Sequence, residues 1–261
     1  MKRITCGVAA VLVCLALPAI AAAGAPEYGR CVKQAGGTFT TSKCTAEATS
    51  GGSWEWEPGP GPKGRFTAVL KGTSAMAWHD ADGGYPGECK HASLSGEYTG
   101  PKTVGDVRLA FSECDYPTSE PPDSCPTIEV APLVGELGVY ALGETAEKNK
   151  IGLKLSPESG TSLAEFHCGS ERVYNWRGGF VIGQASSNVM QLTMGSLTFR
   201  QRHGRGFAEQ QPGNFLGEAP SPLETTGDVF DEDHEPVFTE MGWQMALAVH
   251  NEERIEANSV A

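Results

Sequence analysis

The chain has 261 residues, with 32 acidic side chains against 20 basic ones, a formal net charge of −12, 33 glycines, 17 prolines and 8 cysteines. A field of that sign repels polyphosphate, which argues against nucleic acid and anionic membranes as partners and leaves room for cations or basic partners. Glycine and proline exceed ordinary usage without a collagen-like period, and they punctuate short apolar segments.

The first residues, MKRITCGVAAVLVCLALPAIAAAGAP, read as a secretory signal peptide over 1–23. Lys2 and Arg3 form the basic start, Val8 to Leu17 the apolar centre, and Ala21 to Ala23 the small-residue cleavage site. Cleavage after Ala23 is expected, because a cut after Ala25 would place Pro26 at the scissile bond. The apolar run is too short and alanine-rich for a membrane span. Val13 before Cys14 is not the small residue that a lipid-attached cysteine follows. The expected location is therefore secreted, extracellular, with no membrane span in the mature chain. Cleavage removes two basic residues and no acidic one, so the mature chain carries about −14.

Six cysteines remain: Cys31, Cys44, Cys89, Cys114, Cys125 and Cys168. An even number in a secreted chain points to disulfides, and no Cys-x-x-Cys pair supplies a zinc site. Proximity in sequence favours Cys31–Cys44 and Cys114–Cys125, which leaves Cys89–Cys168.

Residues 24–63 read as a glycine-rich, disulfide-closed leader. At its end, GGSWEWEPGPGPKGRF places Trp54 and Trp56 two apart, on one face of an extended strand. Flat aromatic faces of this kind stack on sugar rings. The competing reading is an inward-packed anchor ahead of a stiff turn, since Pro58, Pro60 and Pro62 alternate with glycine. The anchor reading is preferred.

Residues 64–203 hold a dense strand pattern. Alternation runs through Phe66-Ala68-Leu70, Val107-Leu109-Phe111, Ile151-Leu153-Leu155, Ala164-Phe166-Cys168, Phe180-Ile182, Met190-Leu192 and Leu197-Phe199. Each run places one face in a core and the other towards water. Within this region Trp78-His79-Asp80-Ala81-Asp82-Gly83-Gly84 begins like a calcium loop. Asp80 and Asp82 have the right spacing, but Gly84 occupies the third ligand position. A solvated turn is the preferred reading, with Trp78 a further candidate for sugar stacking.

Residues 204–261 form an acidic extension, expected to pack on the main domain or to end as a partly mobile tail. Asp231 and Asp233, in DVFDEDHEP, are weak cation candidates in what reads as a solvated charge run. GETAEKNK at 143–150 is polar all round, so helical evidence is thin. MGWQMALAVH at 241–250 fits three helical turns or a final strand, and the alternation of Trp243, Met245, Leu247 and Val249 favours the strand. The fold expected is all-β, an antiparallel sandwich or barrel with Gly/Pro-rich loops and disulfides.

No local catalytic motif is present. Gly72-Thr73-Ser74-Ala75-Met76 lacks the last glycine of a nucleophile elbow, and Pro236 after His234-Glu235 breaks the helix of a His-Glu-x-x-His site. Arg200, Arg202, His203 and Arg205 form the basic cluster RQRHGR, suited to an acidic partner or to the chain's own acidic extension. No cofactor is expected.

The phrases WEWEPGPGPKGRF (54–66), SGEYTG (95–100), PLVGELG (132–138), IGLKLSP (151–157), VIG (181–183) and NEERIEANSV (251–260) resemble a group of uncharacterised secreted all-β proteins of soil actinobacteria. The resemblance spans most of the mature chain. It implies an all-β secreted fold with disulfides and transfers no activity or site residue. The leading expectation is a binding or structural role outside the cell or on its wall, with an extracellular polysaccharide or another surface protein as partner. A carbohydrate-binding module is the first alternative. The second is a hydrolase whose acid pair has no local signature.

Overall fold

A computed structural model describes residues 26–44, 46–73, 75–78, 87–116, 123–145, 148–169, 172–185, 192–204, 207–230 and 236–258. Residues 1–23, expected from the sequence to be a signal peptide, lie outside them. The described residues form strands and no α-helix, in an all-β fold stapled by three disulfides.

Eight strands close into a barrel. In chain order they are β3 (Arg65–Leu70), β5 (Gly87–Tyr98), β6 (Thr103–Tyr116), β9 (Leu133–Ala141), β10 (Lys150–Pro157), β13 (Val181–Ala185), β14 (Leu192–Gly204) and β18 (Met245–Asn258). Each pairs antiparallel with the next, and β18 pairs with both β14 and β3, which closes the ring. This is an up-and-down barrel, in which closure removes the open edges that a flat sheet would expose. Its interior is built by the period of two. Phe66, Ala68, Leu94, Leu109, Phe111, Leu153, Leu155, Leu197, Phe199 and Leu247 are buried, and the register sets Leu94 opposite Leu109 and Leu197 opposite Leu247.

The strands outside the ring do different jobs. β11 (Ser162–Cys168), β12 (Arg172–Gly178), β16 (Leu223–Phe230) and β17 (Pro236–Met241) form a separate antiparallel sheet. Its Phe166 and Trp176 pack with Trp243 onto Phe111 and Phe199, with ring centroids 5.0 to 6.2 Å apart. These rings plug one end of the barrel, and offset or edge contacts of this kind are each worth about 1 kcal/mol beyond the area they bury. At the other end, β1 (Glu27–Phe39) pairs with the last residues of β18, and β2 (Glu47–Pro58) pairs with β1. β15 (Phe207–Gln211) extends β14. β4 (Ala75–Trp78) pairs with β5, and β7 (Asp123–Cys125) and β8 (Ile128–Glu129) pair with β6.

The 24–63 segment thus supplies the β1–β2 hairpin, and the 204–261 segment supplies the eighth barrel strand. MGWQMALAVH follows the strand reading. Met245, Leu247 and Val249 lie on β18, while Trp243 leaves the ladder to join the aromatic plug.

Two expectations are corrected. Cys31–Cys44 forms, but the other bridges are Cys89–Cys114 and Cys125–Cys168 rather than Cys114–Cys125 and Cys89–Cys168. Proximity does place Cys125 beside Cys114, since the two are cross-strand partners. Cys89 is the partner of Cys114 on its opposite flank and takes the bond, which leaves Cys125 for Cys168 of β11. The second correction concerns Phe180-Ile182. Val181 and Ile182 are both buried, so the strand is covered on both faces where it begins. A Cβ on Gly183 would meet Leu197 and Phe199, so the odd-numbered residues face the barrel interior and Ile182 lies on its outer wall.

Candidate functional site

The aromatic plug fills one half of the barrel, and the other half is incompletely filled. A cavity of about 80 Å³ lies there, with Phe66, Leu94, Val104 and Leu153 among its walls. Tyr28 of β1, with Ile255 and Ala257 of β18, closes it from the side where the hairpin joins the barrel. Ala185, Ser196, Val249 and Ala257 are half-buried at its rim.

Polar groups are few. The Tyr98 hydroxyl donates to Asn251 Oδ1 at 2.9 Å, and Asn251 is only 7% exposed. The ring of Tyr98 meets Tyr28 edge-on at 4.7 Å and lies 5.0 Å from Phe66. Burial pushes the Tyr28 phenol well above its ordinary pKa, with the neighbouring Tyr98 adding to the shift, and burial raises the Tyr98 phenol too. Both hydroxyls therefore stay protonated in the folded protein at neutral pH, and Tyr98 remains a donor.

The proline–glycine run seats these two tyrosines. Gly59 donates to the Tyr28 carbonyl at 2.7 Å, Tyr28 N–H donates to the Pro101 carbonyl at 2.5 Å, and Tyr98 N–H donates to the Gly64 carbonyl at 2.8 Å. Gly59 holds φ at +87°, a conformation that glycine adopts without a Cβ clash. The run from Pro58 to Gly64 thus fixes the backbone on either side of the cavity.

Glu256 also contributes to the wall and is 3% exposed. The register pairs Gly29 with Glu256 and Tyr28 with Ala257. Opposed residues share a face and neighbours alternate, so the Glu256 side chain belongs to the face of Gly29 and the Tyr28 ring to the cavity face.

Trp54 and Trp56 sit on β2, an outer strand, and both are half-buried. They share a face, opposite Lys33 and Cys31. The Trp56 ring crosses Gly29 so closely that a Cβ there would lie 2.2 Å from it, and its indole N–H donates to Glu27 Oε1 at 2.5 Å. The intervening acids serve the other face. Glu55 accepts from the Thr38 side chain and backbone N–H, which lowers its pKa, and Glu57 pairs with Arg30 at 2.9 Å.

Trp78 ends β4 opposite Gly87, on a strand that pairs with neither β1 nor β2. Asp80, Asp82, Asp231 and Asp233 lie outside the described residues, and so does Arg205. Among the described residues, no group of three or more His, Cys, Asp or Glu side chains is placed to hold a metal ion. Arg202 is opposite Glu209 of β15.

Sequence reading missed Tyr28, Tyr98 and Asn251. For Asn251 a signal existed, since it continues the inward register of Met245, Leu247 and Val249 with a polar side chain. Compared with models of protein families, with curated proteins and with solved structures, the chain shows no significant match.

Proposed function

We propose that the protein is a secreted, disulfide-stapled β-barrel that binds a ligand outside the cell, and that the unfilled half of the barrel is the binding site. The observation that carries this reading is the Tyr98–Asn251 pair, held beside open volume in a largely apolar interior. Burying polar groups costs stability unless they are paired, and a shape-matched apolar pair would fill the space as well. An apolar cavity with a few convergent polar groups is the usual form of a small-molecule site. An eight-stranded barrel has an interior wide enough for side chains or for one small ligand. Three disulfides, and the lack among the described residues of a helix able to cross a membrane, are consistent with an extracellular place. The resemblance to secreted actinobacterial proteins supports the same placement.

The volume bounds the affinity. A cavity of roughly 150 Å³ takes benzene, so about 80 Å³ takes about three non-hydrogen atoms. At a ceiling of about 1.5 kcal/mol per atom, such a ligand reaches about 4.5 kcal/mol, or a Kd of about 0.5 mM. Tighter binding requires that the cavity hold only the end of a longer molecule. Ala185→Leu projects into the cavity and tests the site. The reading predicts that small amphiphiles raise the melting temperature of the wild type and not of this variant. Equal shifts in both would place binding elsewhere.

Trp54 and Trp56 support a second reading, a carbohydrate-binding surface, because both rings are half-exposed on one face of an outer strand.

A further inference from the structure

Resting on the reading of the cavity as a binding site, we infer that its ligand presents a neutral oxygen, a hydroxyl or a carbonyl, on a small apolar body. Asn251 Oδ1 already accepts from Tyr98, so the groups offered to a ligand include the Asn251 amide N–H₂ and a lone pair on the Tyr98 hydroxyl, with the Tyr28 hydroxyl on the same face. A carbonyl oxygen accepts from the amide. A hydroxyl accepts from the amide and donates to Tyr98. The rest of the ligand meets Phe66, Leu94, Val104 and Leu153, which offer contact area and no polar atom.

Charged ligands fit poorly. No Lys or Arg is among the described residues around the cavity, so a carboxylate would enter without a counter-charge. The one acid in the wall, Glu256, shares a face with Gly29 rather than with Tyr28, so an ammonium in the cavity would face the tyrosine side and lack its partner. An unpaired buried charge costs far more than a neutral group that keeps a hydrogen bond.

The test is an NMR titration of the isotope-labelled mature protein with xenon and four probes of about four non-hydrogen atoms each. The probes are 1-propanol, acetone, propylammonium and acetate at neutral pH. We expect 1-propanol and acetone to bind at least about tenfold more tightly than either ion. Asn251→Leu should weaken 1-propanol about fivefold, the loss of one hydrogen bond, and leave xenon binding unchanged. Tyr98→Phe should weaken 1-propanol and spare acetone, which needs only the amide. An ion that binds as tightly as 1-propanol, or an Asn251→Leu protein that holds 1-propanol undiminished, would overturn the ligand class while xenon binding preserved the cavity. If neither xenon nor any probe shifts the resonances of Leu94 and Val104, the binding site itself is refuted.

Discussion

Raising the pH towards 11 should unfold this protein by a calculable amount. Tyr28 is 6% exposed, its ring lies 4.7 Å from that of Tyr98, and burial lifts both phenols above their ordinary pKa. In the unfolded chain a tyrosine ionises near pH 10. A folded pKa raised above the unfolded one gives stability that is complete below about pH 10 and is lost as pH rises beyond it. At pH 11 the unfolded state gains about 1.4 kcal/mol from each such tyrosine, so the pair costs about 2.8 kcal/mol relative to pH 9. Tyr140 is also raised by burial, opposed by Arg200, but it is only half-buried and adds less. The assay is guanidinium unfolding at pH 9 and pH 11, with phenolate absorbance followed in parallel. Tyr98→Phe should lose about 1.4 kcal/mol less than the wild type over that interval. If the variant loses as much as the wild type, the tyrosines are not held neutral by the fold and the reasoning fails.

Non-reducing peptide maps should yield Cys89–Cys114 and Cys125–Cys168 peptides, and a Cys114–Cys125 peptide would contradict the register. Replacing Cys125 and Cys168 by serine, which opens a 43-residue separation, should cost about 4 kcal/mol. Opening the 13-residue separation of Cys31 and Cys44 should cost about 3 kcal/mol, and denaturant midpoints give the order. Gly29→Ala should lower the melting temperature, because its Cβ would overlap the Trp56 ring. Trp56→Phe should cost about 1 kcal/mol by losing the bond to Glu27. Under the carbohydrate reading, tryptophan fluorescence should respond saturably to wall or plant polysaccharides and lose that response in the Trp54→Ala/Trp56→Ala double variant; an unresponsive wild type removes that reading.

Much of the fold is local and therefore visible in sequence. Phe66-Ala68-Leu70 is β3, Val107-Leu109-Phe111 lies in β6, Ile151-Leu153-Leu155 in β10 and Leu197-Phe199 in β14. In each, one face meets the barrel interior, so the period of two survives. It fails at the start of β13, where Ile182 is buried on the outer wall beside the buried Val181 and no polar residue marks the phase before Gln184. Closure was not readable, since it depends on β18 pairing with β3, partners such as Phe66 and Asn251 that are far apart in the chain. The same distance conceals the site. Tyr98 and Asn251 are 153 residues apart and meet only after the ring closes. Trp54 and Trp56 on one face followed from spacing alone, whereas the seating of Trp56 on Gly29 depended on the pairing of β1 with β2.

The most direct test of the central claim is a set of intermolecular nuclear Overhauser contacts between 1-propanol and the labelled protein. The account predicts contacts from the propanol methyl group to Leu94 and Val104, lost in Ala185→Leu. Contacts confined to Trp54 and Trp56, or contacts that persist undiminished in Ala185→Leu, would contradict a ligand site inside the barrel.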